Sequence, residues 1–96
     1  MSTYICLGNW TQKGIENVRE SPARLDAARE DWEKEGVTIR DFYMTTGQYD
    51  VVFVVEAPDD ATLAKVLLAQ ASKGGLRTTT LRAFSETEYR AIIRSL

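Results

Sequence analysis

The sequence contains no histidine among its 96 residues. That removes the commonest general base, proton shuttle and transition-metal ligand together. Ser-His and Cys-His nucleophile pairs are excluded, and so are zinc sites of the usual kinds. One cysteine is present, Cys6. A lone thiol forms no intrachain disulfide, and its place in an apolar segment reads as a small core residue. Lys/Arg clusters are missing too, with 12 basic against 14 acidic residues and a net charge of −2. Without a basic stripe there is nothing to track a phosphate backbone, so no nucleic-acid partner is expected. There is no run of about 18 apolar residues, no leader-like N-terminus, no P-loop and no Gly-x-Gly-x-x-Gly. These absences point to a soluble, cytoplasmic protein with no membrane partner, no cofactor and no metal site.

What is present reads as a single domain over residues 1–96. A chain of this size buries only about 60–65% of its unfolded surface, so self-association would add needed core. Thr3 to Trp10 reads as a strand that is apolar on both faces: Thr3, Ile5 and Leu7 on one, Tyr4, Cys6 and Trp10 on the other. A polar connection with one short helical turn at Ile15 and Val18 leads to Ser21-Pro22, read as a cap followed by a first-turn proline. The helix runs to about Glu35 with Leu25, Ala28 and Trp32 inward, and Gly36 stops it.

Val37 to Thr46 is expected as the second strand, with a bulge near Arg40-Asp41-Phe42. Gly47-Gln48 suits a two-residue hairpin turn with glycine first. Tyr49 to Ala57 contains Val51-Val52-Phe53-Val54-Val55, a run that marks a central strand covered on both sides. Asp59 caps a second helix with Ala64, Leu67, Leu68 and Ala71 inward, closed by Gly74-Gly75. Leu76 to Phe84 is a threonine-rich fourth strand. Ser85 and Glu88 form a capping box for a last helix whose Tyr89, Ile92, Ile93 and Leu96 share one face.

The order is β-α-β-β-α-β plus a terminal helix. That is an α+β, ferredoxin-like pattern: a four-stranded antiparallel sheet, strand order 4-1-3-2, with both helices on one face. The uncovered face is apolar on its central strands, so a second copy packed sheet to sheet is the expected cover.

The feature most suggestive of a site is Gly47-Gln48-Tyr49-Asp50, a polar turn at the mouth of the most apolar strand. Asp50 either accepts backbone N–H bonds and pins the turn, or orients a small polar ligand together with Tyr49. Strands one and three are antiparallel neighbours, so Asn9 and Trp10 should lie near Tyr49 and Asp50. Tyr43 sits on the adjoining second strand; of Phe42 and Tyr43, one must face the helices and one the open side. The expected ligand-binding set is Asn9, Trp10, Tyr43, Tyr49 and Asp50, with no catalytic set. Glu16, Glu20, Glu30 and Glu33 read as solvated faces.

Tyr4 to Thr11, Gly14-Ile15-Glu16-Asn17-Val18, Ser21-Pro22, Gly47 to Asp50, Glu56 to Asp60 and Arg77 to Phe84 together resemble the GYD-domain family. The resemblance covers nearly the whole chain and implies a dimeric α/β barrel of uncharacterised function. Val37 to Phe84 is more distantly similar to the effector-binding domain of leucine-responsive (Lrp/AsnC-type) regulators. It shares the Thr-Gly-x-Tyr-Asp turn and, at Gly75-Leu76-Arg77-Thr78-Thr79, a Gly-Val-x-x-Thr-like strand. That likeness implies dimers or larger rings that bind small molecules, though the DNA-binding helix-turn-helix is missing. Two function classes follow. One is a dimeric module that binds a small molecule or acts as an interaction domain. The other is a small cofactor-independent enzyme of the same barrel type, monooxygenase- or isomerase-like, built on Trp10, Tyr43, Tyr49 and Asp50.

Overall fold

A computed structural model describes residues 1–96. The strands are β1 (Ser2–Trp10), β2 (Thr38–Met44), β3 (Val51–Ala57) and β4 (Leu76–Ala83). The helices are α1 (Gln12–Glu16), α2 (Ser21–Glu33), α3 (Asp60–Ala71) and α4 (Glu86–Arg94), with a 3₁₀ turn at Val18–Glu20. The strands form one antiparallel sheet in the order β2-β3-β1-β4. This is the expected α+β, ferredoxin-like order, and the terminal helix is present.

Alternation of side chains gives the sheet two distinct faces. On the helix side, Tyr4, Cys6, Val51, Phe53, Val55 and Ile39 are buried against Ala28 and Trp32 of α2 and Leu63 and Val66 of α3. Phe53 sits between Trp32, at 6.1 Å between ring centroids, and Phe42, at 6.0 Å. Burial pushes the Cys6 thiol up to about 11, the shift of a core thiol kept neutral. The Tyr4 hydroxyl donates to Asp60 at the start of α3, tying β1 to that helix. This bond, then burial, raises the Tyr4 pKa.

Most element ends follow their local signals. Asp59 accepts from Thr62 N at 2.8 Å and caps α3. Ser85 and Glu88 complete both halves of the capping box on α4. Gly36 and Gly74 have φ of +79° and +84°, the left-handed conformation that ends α2 and α3. The bulge falls at Arg40, between Ile39 and Asp41 in the register with β3.

Three expectations change. Ser21 does not cap α2; it is already helical, because the 3₁₀ turn at Val18–Glu20 runs straight into the helix. The inner face of α3 is Leu63 and Val66 with Leu67 beside them, while Leu68 is 71% exposed and Ala64 and Ala71 are exposed. Both residue sets fit the i, i+3, i+4, i+7 spacing on a helix that is apolar most of the way round, so spacing alone does not choose between them. The β2–β3 turn is wider than two residues. It closes through Thr45 N donating to Asp50 O at 2.8 Å, because Asp50 is drawn aside toward β1.

Candidate functional site

The Gly47–Asp50 turn is anchored at one point, Asp50. Its backbone N donates to Gly8 O at 2.9 Å. Its carboxylate Oδ2 accepts the Trp10 backbone N–H at 3.0 Å. Thr45 Oγ1 donates to Tyr49 O at 2.5 Å across the same turn. Gly47, at φ +108°, supplies the left-handed residue the loop needs. Asp50 therefore bolts the hairpin mouth to the last residues of β1, and it does so from the backbone side of Trp10.

The five residues expected together are divided by the sheet. Asn9 follows the Ile5–Leu7 alternation onto the open face, where it pairs in register with Arg77. Tyr43 is opposite Val52 on that same face and is 60% exposed. Tyr49 and Asp50 are half-buried in the β2–β3 turn. Trp10 alone points toward the helices.

There Trp10 walls a cavity of about 350 Å³ between α2 and the rim of the sheet. Leu25 and Trp32 of α2, Phe42 and Met44 of β2, and Leu76 of β4 supply large apolar parts of the rest of the wall. Sequence reading placed Leu25 and Trp32 in the core but missed the cavity. It forms beside the N-terminal half of α2, where Ser21, Pro22, Arg24 and Leu25 line it while Ala28 and Trp32 stay packed on the sheet, a tertiary gap with no local signature. Its near edge is sealed by a glycine contact. Gly14 of α1 packs on Gly75 so closely that a Cβ on Gly14 would lie 2.0 Å from the Gly75 carbonyl oxygen. Thr11 fixes this contact: its N donates to Gly75 O at 3.2 Å and its hydroxyl donates to Gly74 O.

Replacing Asp50 with alanine removes the acceptor of a half-buried N–H. The expected loss is about 1–2 kcal/mol, or roughly 5–15 °C in melting temperature. Asp50→Asn keeps a carbonyl acceptor for Trp10 and is expected to recover most of it. Thermal denaturation of the two variants checks this. Equal loss in both would mean that the charge, not the hydrogen bond to Trp10, holds the turn.

The second feature is the open face of the sheet. Register places Asp41, Val54, Ile5 and Leu81 in one row across it, and Tyr43, Val52, Leu7 and Thr79 in the next. Polar rows flank these two: Thr38, Glu56, Thr3 and Ala83 on one side, with an Arg40–Glu56 ion pair at 3.1 Å, and Asn9 with Arg77 on the other. No helix covers this apolar centre. Beyond β4, α4 projects with every residue exposed. Its Tyr89, Ile92, Ile93 and Leu96 are 57%, 45%, 49% and 94% exposed, and an Arg82–Glu88 ion pair at 4.0 Å ties its base to β4. No helix is long and apolar enough to cross a membrane.

A family model described as the GYD domain matches residues 4–93. A Thermus thermophilus protein named glutamine synthetase and cystathionine beta-lyase binding protein is 39% identical over 84 residues, spanning 86% of this chain and 88% of that one. The crystal structure of TTHA0845 from Thermus thermophilus superposes with a TM-score of 0.55 at 26% identity, over 88% of this chain and 95% of the other. With the match running from the first strand into the terminal helix, the chain belongs to the GYD-domain family.

Proposed function

We propose that this protein is a non-catalytic interaction module that works as a homodimer and binds an enzyme partner. The observation that carries the reading is the pair of uncovered apolar surfaces, the two central rows of the open sheet face and the stripe on α4. An apolar centre with a polar, ion-paired rim has the anatomy of a protein interface. A four-stranded sheet with one bare face is completed most simply by its own twin, because a two-fold axis satisfies both copies at once. Asn9 and Tyr43 then belong to that interface rather than to a ligand pocket, and the exposed α4 stripe is left free for the enzyme partner.

The enzyme partner is supported by the 39%-identical relative, whose name gives it two enzymes to bind. The direct test mixes the purified protein with the glutamine synthetase and the cystathionine β-lyase of its own host in size-exclusion chromatography. Co-elution with either, lost when Ile92 and Ile93 are changed to glutamate, is the expected result. Separate elution from both at concentrations on the order of 10 µM, where a physiologically useful complex would persist, overturns the enzyme-partner reading.

A further inference from the structure

The cavity behind Trp10 lies on the opposite side of the sheet from the proposed interface and plays no part in it. Its walls are mainly aromatic and aliphatic, with Trp10, Leu25, Trp32, Phe42, Met44 and Leu76 among them. Its volume, about 350 Å³, is at the small end of the range for ligand pockets.

Four lining side chains are polar: Ser21, Arg24, Gln70 and Lys73. Arg24 is half-buried on α2 at the cavity edge, beside Gly75. Its guanidinium forms no ion pair, whereas the other lining cation, Lys73, lies 3.9 Å from Asp31. A half-buried guanidinium without an acid partner is matched by a planar anion, which it grips through two parallel N–H bonds. The indoles and Phe42 match a flat ring.

We infer that this cavity is a binding site for a small aromatic carboxylate, its ring between Trp10 and Trp32 and its carboxylate on Arg24. The chain's only two tryptophans both line the cavity, so they report on it directly. The probes are 2-naphthoate and its neutral isostere 2-naphthamide, titrated into the full-length protein while the two indole N–H resonances are followed by NMR. Naphthoate is expected to shift both resonances saturably, and naphthamide to bind about tenfold more weakly, the loss of one charge-assisted pair. Arg24→Gln, a change on a partly exposed helix position, is expected to bring naphthoate down to the amide's affinity and leave the amide unchanged. The inference is overturned by any of three results: no saturable indole shift, equal affinity of the two probes, or an Arg24→Gln variant that still prefers the acid. Shifts confined to open-face or α4 resonances also overturn it.

Discussion

Val54→Glu is expected to abolish self-association while leaving the fold intact. Val54 is at the centre of the open face, with Ile5 on one side and Asp41 on the other. In a sheet-to-sheet dimer a carboxylate there would be taken out of water in a row whose other members, Asp41, Ile5 and Leu81, include no cation. Leaving a buried charge unpaired costs several kcal/mol, so the dimer dissociation constant should rise about 1,000-fold or more. Within one chain the effect is small. Position 54 is half-buried and points away from the helices, so the core around Phe53 is untouched. The added like charge beside Asp41 costs only about 0.2–1 kcal/mol. Circular dichroism should therefore show a folded monomer. A Val54→Glu variant that stays dimeric would place the interface elsewhere; Val54→Lys, which faces Asp41 with the opposite charge, separates loss of assembly from loss of fold.

Gly14→Ala should be the most damaging single-methyl change in the protein. Helix propensity alone predicts a gain of about 1 kcal/mol, since Gly14 lies within α1. Geometry predicts the reverse. The new Cβ would fall 2.0 Å from the Gly75 carbonyl oxygen and 2.9 Å from its carbonyl carbon, and both are backbone atoms that cannot swing aside. α1 must move off the α3–β4 turn. Overpacking of this kind costs about 1–3 kcal/mol. The Thr11 bonds to Gly74 and Gly75 are strained with it, at about 1 kcal/mol each. The net expectation is a loss of about 2–4 kcal/mol, a large part of the 5–15 kcal/mol typical of a small domain. Urea denaturation measures it directly. A neutral or stabilised Gly14→Ala protein would show that the Gly14–Gly75 contact does not hold the two loops together.

Much of this fold was legible because its signals are local. Gly36, Gly74, Asp59 and the Ser85–Glu88 box mark element ends by their own backbone chemistry. Val51 to Val55 mark a central strand, and β3 lies between β2 and β1 with Val51, Phe53 and Val55 buried on its helix side. The nearness of Trp10 and Asp50 followed from strand pairing. What did not follow was which atoms meet. A turn acid of this kind reads equally as a ligand contact or a turn pin; the Asp50 carboxylate holds the Trp10 main-chain N–H. Alternation along β1 separates Asn9 from Trp10, so nearness along the chain does not put both in one pocket. The inner face of α3 is not legible from spacing because its apolar residues surround the helix. The cavity and the Gly14–Gly75 contact depend on segments distant in sequence, and no residue type alone announces them.

The uncovered sheet face is the centre of the account, and sedimentation equilibrium tests it most directly. At micromolar concentrations the wild-type protein is expected at twice the chain mass, and the Val54→Glu protein at the mass of a single chain. A wild-type protein that remains a single chain up to about 100 µM, a concentration at which even a weak specific dimer would form, would contradict it.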